Sequence, residues 1–268
     1  MDQKRINVGV VGRDEMGILH TGILSSLDGV EVKWLQFLKL VRSMSNSEED
    51  YVKFQQFQAE WVFNRLKLEN KLGIEKVLDL GCGLGGYTKE LSKYARVVYA
   101  LDLHVTQKYF RSENVIPIQG DALNIPLKGN SVDFIFCSSL IEHIQDQNKL
   151  VSEIKRVLKP DGICYLSFPP FYSPVGGHQF KPFHLLGEKN AIILSRIFKG
   201  IKAKDYATYF GDFVLNPTTI SKIKRLVKRS NFRIVDMRTR FSPINVAKIP
   251  ILGEFLTWHV EFVLRKEV

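Results

Sequence analysis

The segment VLDLGCGLGGYT (77–88) constrains this chain more than any other. A short apolar strand pattern runs into Gly81, Gly83, Gly85 and Gly86, and a helix pattern starts near Tyr87. Glycines placed this way permit a tight turn and let a ligand lie close to the backbone. A strand, a glycine turn and a helix N-terminus commonly receive a pyrophosphate. Here Asp79 stands two residues before the first of these glycines. Its carboxylate repels phosphate and suits a ligand that carries an ammonium or sulfonium group.

The rest of the pattern from residue 76 is strand then helix, repeated. Strands are expected at 76–80, 97–103, 115–120, 131–139 and 162–169, with a helix over 140–159 that stops at the turn Pro160-Asp161-Gly162. Several of these strands are apolar throughout, as in a parallel sheet covered by helices on both faces. Asp102 ends the second strand, 21 residues after Gly81, where an acid accepts hydrogen bonds from both hydroxyls of a ribose. Asp121, with Ala122 beside it, follows the third strand and can accept a bond from an adenine amino group. Ser138 and Ser139 end the fourth. Acids at the carboxyl ends of successive strands are a far more specific signal than a glycine turn alone.

These stretches resemble the class I S-adenosylmethionine-dependent methyltransferases. VLDLGCGLGG looks like the family's first motif and ALDLH like its acidic second-strand end. GDALNIPLKGNSVDFIFCSSLIEHIQD and LVSEIKRVLKPDGICYLSFP resemble the stretches that follow in the ubiquinone/menaquinone methyltransferase-like branch. The resemblance implies an α/β, Rossmann-like sheet of seven strands, mostly parallel, with helices on both faces and an antiparallel last strand. It implies S-adenosylmethionine as cofactor, with Asp79, Gly81, Gly83 and Gly85 at the methionine end. Asp102 then binds the ribose, Asp121 and Ala122 meet the adenine, and Ser138 lies near the sulfur. A helix expected over 49–71, with Tyr51, Phe54, Phe57 and Trp61 on one face, helps to cover the cofactor.

The first 45 residues fit this scheme less well. GVVGRDEMGILH (9–20) resembles the nucleotide-binding start of glucose-fructose oxidoreductase-like dehydrogenases, with Gly12, Gly17 and His20 in register. Asp14 replaces the middle glycine and repels a pyrophosphate. No acid follows the next expected strand, in which Val30, Val32 and Trp34 alternate with Glu31 and Lys33. Residues 1–45 therefore read as a vestigial βαβ-like fragment, and 46–268 as the methyltransferase domain with an insertion at about 169–216. A basic helix (218–230) and strands at 232–241 and 255–265 complete the domain.

The net charge of +10 is concentrated: residues 181–248 hold 15 Lys and Arg against 4 Asp and Glu. Such a region attracts phosphates, acidic lipid headgroups or acidic glycans, or simply solvates a helix. Cys82, Cys137 and Cys164 lie 55 and 27 residues apart, a spacing that suits reduced thiols and no zinc site, so no metal is expected. No apolar run is long enough to span a membrane and no secretory leader is evident, which points to the cytoplasm.

Methyl transfer is a displacement at an already activated carbon, so positioning of the acceptor dominates. The segment 168–188 follows the fifth strand at the crevice mouth and combines aromatic residues with His178 and His184. His178 and His184 are the candidate catalytic residues, and Tyr172, His178 and His184 the candidate acceptor contacts. Glu142 and His143, just after the fourth strand, are further candidates. The function expected is methylation of a small molecule, a glycan or a lipid-linked acceptor. The alternatives are methylation of nucleic acid, or a bifunctional protein with an NAD-related N-terminal segment.

Overall fold

The structure is a computed structural model that describes residues 27–66, 74–108, 110–207, 214–242 and 244–267. The expected alternation is present as β1 (Lys76–Leu80), β2 (Val97–Asp102), β3 (Val115–Gln119), β4 (Val132–Ser138) and β5 (Leu158–Phe168), followed by β6 (Phe232–Thr239) and β7 (Val260–Lys266). Among the described residues these strands form one sheet of order β3-β2-β1-β4-β5-β7-β6. Strands β1 to β5 are parallel, and β7 runs antiparallel to both β5 and β6.

The two-residue period of the strands divides the core into two layers. Leu78, Leu80, Ile135 and Cys137 pack with Leu150, Val151 and Ile154 of α4 (Gln147–Val157) and with Ile220, Ile223 and Val227 of α6 (Ile220–Arg229). On the other face Val77, Phe134, Phe136 and Tyr165 pack with Val62 and Phe63 of α2 (Glu48–Leu66) and with Tyr87 and Leu91 of α3 (Gly86–Leu91). Phe136 and Tyr165 are register partners on β4 and β5, and their rings stack at 4.7 Å. The three cysteines are buried free thiols.

Helix starts follow side-chain capping. Ser47 Oγ accepts the Asp50 N–H at 3.1 Å before α2, and Thr219 Oγ1 accepts the Lys222 N–H at 3.1 Å before α6. On α6 the apolar residues are buried, while Lys222, Arg225, Lys228 and Arg229 face solvent. Part of the basic cluster is thus the solvated side of an amphipathic helix.

Four expectations are corrected. The strand expected around Val30, Val32 and Trp34 is helical backbone within α1 (Leu27–Ser43). The helix expected over 140–159 starts only at Gln147, because Asp146 Oδ1 accepts the Lys149 N–H at 2.9 Å and caps it there. Ahead of it Ile141–His143 make a single 3₁₀ turn. The Pro160-Asp161-Gly162 turn is an irregularity inside β5, where the register to β4 shifts and Asp161 takes a φ of 60°. The last strand starts at Val260 instead of 255, since 252–256 form the short helix α7 (Leu252–Leu256). The dehydrogenase-like glycines at 9–20 lie outside the described residues.

The expected domain boundary at 45/46 falls between α1 and α2. Across it Phe37 of α1 packs on Phe241 at 4.9 Å, Trp258 at 5.4 Å, Phe54 at 6.2 Å and Phe57 at 6.4 Å. Full burial makes a Phe→Ala change cost about 3–5 kcal/mol, and Phe37 is only half-buried, so Phe37→Ala is expected to cost about 2 kcal/mol. Urea unfolding measures it. An unchanged midpoint means that α1 rests on the domain without supporting it.

Candidate active site

Strand order reverses at β1: the chain runs outward through β2 to β3 and then crosses back to lay β4 on the other side of β1, and ligands of open α/β sheets bind at the carboxyl ends beside such a reversal. A crevice lies there, lined by Gly81, Leu101, Asp102, Leu103, Gly120, Asp121, Ala122, Leu140, His143 and Ile144. Four expected cofactor residues, Gly81, Asp102, Asp121 and Ala122, therefore share one wall system.

The glycine turn is held from both sides. Gly81, Gly83 and Gly85 have φ of 79°, 51° and 84°, the left-handed region that disfavours side chains. Asp102 Oδ2 accepts the Gly83 N–H at 2.9 Å, and its Oδ1 accepts the His104 N–H at 3.0 Å. Asp121 Oδ1 accepts the Leu123 N–H at 2.8 Å. Helix α2 presses on the next glycine: a Cβ on Gly86 would sit 2.5 Å from Gln55 Cβ and 2.9 Å from the Val52 carbonyl oxygen. Gly86 N–H donates to Gln55 Oε1 at 3.2 Å. A ring of Phe110 fills the space where a Gly85 side chain would go.

Asp79 lies beneath this turn, 1% exposed, and accepts the Thr88 hydroxyl at 2.6 Å. Burial pushes its pKa up to about 7 against the Thr88 bond, and the neighbouring Asp102 charge adds to the rise. An uncompensated carboxylate is costly there, and a bound cation offsets that cost.

On the acceptor side the structure joins two candidate groups that are 35 residues apart in sequence. Glu142 Oε1 lies 4.0 Å from His143 Nε2, and the His143 and His178 rings meet edge-on at 4.8 Å. Glu142 is 1% exposed, and neither carboxylate oxygen has a hydrogen-bond partner. Burial raises its pKa to about 8, opposed by its own backbone N–H and by Arg240. Burial, His143, Lys181 and His184 lower His178 to about 3, so its ring is neutral throughout the physiological range. A group so weakly basic makes a poor general base, which argues against the proton-accepting role expected of His178. Tyr51 is 40% exposed, and partial burial, then Tyr87 and Glu142, push its pKa up to about 12.

The other candidates lie elsewhere. His184 is buried in the insertion, edge-on to Phe171 at 5.4 Å, and its ring fills the place a Gly177 side chain would take. Burial lowers its pKa. Tyr172 is 40% exposed and stacks on Phe255 at 5.5 Å. The insertion has its own small core of Phe171, Phe180, Ile192, Tyr206 and Leu215.

Ser138 turns into a buried polar network that the sequence does not reveal. Arg240, 1% exposed, donates to Tyr165 Oη at 2.7 Å, Ser167 Oγ at 2.6 Å, Ser138 Oγ at 3.2 Å and Glu261 Oε1 at 3.1 Å. Ser138 Oγ is also 3.4 Å from Tyr87 Oη, whose hydroxyl donates to Gln58. Arg240 sits in a run of basic residues that reads as surface. Only the tertiary pairing with Glu261 shows otherwise.

Comparison with known proteins agrees with this geometry. The model of the methyltransferase domain family matches residues 78–166. A demethylmenaquinone methyltransferase of Corynebacterium kroppenstedtii is 37% identical over 117 residues, 41% of this chain and 51% of that protein. One from Staphylococcus saprophyticus is 28% identical over 200 residues, 70% of this chain and 82% of that protein. The chain spans about half the length of several curated relatives it matches. An S-adenosylmethionine-dependent methyltransferase of Mesorhizobium loti shares the fold, with a TM-score of 0.53 at 20% identity over 78% of this chain and 98% of that one. Residues 78–166 carry a methyltransferase domain, similar to those of S-adenosylmethionine-dependent methyltransferases.

Proposed function

We propose that the chain transfers the methyl group of S-adenosylmethionine to a lipid-linked small molecule. The observation that carries the acceptor class is an apolar rim on the insertion. Leu185, Leu186, Ile193, Ile197 and Phe198 are each at least 50% exposed, and Lys181, Lys189, Lys199 and Lys202 stand exposed beside them. Exposed apolar clusters of this kind mark interaction surfaces, and lysines around an apolar face suit an anionic, oily partner better than RNA. The relatives named demethylmenaquinone methyltransferase point the same way.

In this reading each carboxylate oxygen of Asp102 keeps capacity for one ribose hydroxyl after holding Gly83 and His104. Asp121 accepts the adenine amino group on its second oxygen, and Ala122 lies against the ring. Asp79 answers the methionine ammonium through the glycine turn. Ser138 braces the β4 end from below, because its hydroxyl is committed to Ser167 and Arg240. The acceptor enters under the insertion, and Glu142, His143 and His178 orient its nucleophilic atom. Held about 3–3.5 Å from the methyl carbon, that atom needs little further activation.

Methyl-labelled S-adenosylmethionine supplied with phenols bearing or lacking prenyl tails, nucleotide-sugars and RNA tests the acceptor. Label is expected in tailed phenols. Transfer to RNA alone would overturn the acceptor class. Asp102→Ala is expected to weaken cofactor binding by about 1.5–3 kcal/mol, the scale of hydrogen bonds to a charged group. Titration calorimetry that finds equal affinity in the variant and the parent removes the ribose role. His178→Ala is expected to cut turnover and spare cofactor affinity.

A further inference from the structure

Glu142, His143 and His178 present one carboxylate oxygen and two imidazole nitrogens within 4.8 Å of one another. We propose that these three residues bind a divalent first-row metal ion, such as Zn²⁺, Mn²⁺ or Co²⁺, beside the cofactor crevice. The donor set suits such ions: imidazole and carboxylate together favour them over Mg²⁺ or Ca²⁺, which prefer all-oxygen shells.

Three observations support the site. First, a carboxylate that is 1% exposed with both oxygens lacking a hydrogen bond is rare, and buried polar groups of this kind need a partner. The Arg240 charge acts on it, but Arg240 Nε and Nη2 hydrogen-bond Glu261, Tyr165, Ser167 and Ser138, and its buried Nη1 bonds no group, Glu142 included. Second, the His143 tautomer is set. Its Nδ1 lies 3.0 Å from the Val214 carbonyl oxygen, which only accepts, so Nδ1 carries the proton. Nε2, which then carries the lone pair, stands 4.0 Å from Glu142 Oε1. A ring N–H held by a backbone carbonyl is the usual support of a metal-binding histidine. Third, the spacing is close to closure. Metal–ligand bonds of about 2.0–2.2 Å put ligand atoms roughly 3–3.5 Å apart, and the Glu142–His143 pair stands at 4.0 Å. Side-chain rotation of about an ångström completes the shell.

Three protein ligands leave coordination positions open, and His143 itself lines the crevice. The role then follows from the methyltransferase reading, on which it rests: the ion takes the acceptor's oxygen and fixes it before the methyl carbon. Metal binding itself does not depend on that role.

The test uses the full chain stripped of metal by chelation and titrated with CoCl₂. One equivalent is expected to bind saturably with visible d–d absorption, and ZnCl₂ is expected to displace it. Glu142→Gln, His143→Ala and His178→Ala are each expected to weaken Co²⁺ binding at least tenfold. His104→Ala, on an exposed loop, controls for stray coordination and is expected to leave Co²⁺ binding unchanged. Circular dichroism and S-adenosylmethionine titration on the same variants show whether each is folded. Absence of one-equivalent binding, or binding that folded variants of the three ligands leave intact, overturns the site. If cofactor binds and cobalt does not, the metal inference fails and the methyltransferase reading stands. If neither binds to folded protein, both fail.

Discussion

Asp79→Asn is expected to stabilise the cofactor-free protein above pH 7 and, at the same time, to cost it most of its cofactor affinity. The native carboxyl has its pKa raised from 3.8 to about 7, with burial as the main cause. A carboxyl whose folded pKa exceeds its unfolded value favours folding while protonated. That advantage erodes as pH rises from about 4 and is gone above about 7. At pH 8 the folded state therefore carries the full cost of a buried charge, at most about 4 kcal/mol on 1.36 kcal/mol per unit. Asparagine removes the charge and can still accept the Thr88 hydroxyl. Thermal unfolding at pH 8 should rise by several degrees, with little gain at pH 4.5. With Asp79 answering the cofactor's ammonium, as proposed, that counter-charge is lost and affinity should fall about tenfold to a hundredfold or more, the worth of a charged hydrogen bond. The parent protein should also bind S-adenosylmethionine more weakly as pH drops below 7, approaching tenfold per unit, whereas Asp79→Asn should show a flat profile. A flat profile in the parent would separate Asp79 from the cofactor.

The crevice at the carboxyl ends of β1 to β3 was legible in the sequence because its parts are local. A glycine turn needs its φ angles, and those needs appear directly as glycines at 81, 83 and 85. Each strand-end acid follows its own apolar run, so Asp79, Asp102 and Asp121 could be placed by counting along the chain. The acceptor side was less legible because it is built by long-range pairing. His143 and His178 meet across an insertion whose path no periodicity encodes. His184 and Tyr172 shared the composition of that segment and its position after β5, yet one packs the insertion and the other faces outward. Glu142 stood out only as an acid near a strand end. Its burial, which makes it unusual, depends on Asn216, whose N–H donates to the Glu142 carbonyl from 74 residues further on. Alternation misled at Val30–Trp34, where a two-residue period over so short a run does not separate strand from helix.

Arg240→Met is expected to destabilise the protein by about 3–5 kcal/mol, because it leaves the Glu261 carboxylate buried without its cation. Arg240 follows β6, Glu261 belongs to β7, Tyr165 and Ser167 to β5, and Ser138 ends β4, so one guanidinium ties four strands at the edge of the site. Burial opposes its charge, and Tyr165, Tyr87 and Glu261 outweigh that opposition, so it stays ionised. The cost of the single variant is mostly the stranded partner and not the net worth of the pair. Arg240→Met combined with Glu261→Gln should therefore recover part of the loss, with a coupling of about 1–3 kcal/mol between the two positions. Urea unfolding of both singles and the double measures it. Tyr165→Phe removes an acceptor of Arg240 and a donor to Glu261 but leaves the ion pair, so it should cost about 1.5–3 kcal/mol. Additive losses would mean that Arg240 acts by filling space, with its guanidinium Cζ 5.8 Å from the centre of the Tyr165 ring, and that the ion pair contributes nothing of its own. A non-additive result locates the rigidity of the β4 and β5 ends in this charge pair. Partial loss of turnover in the double variant, with cofactor affinity retained, would then connect that rigidity to the placement of the acceptor.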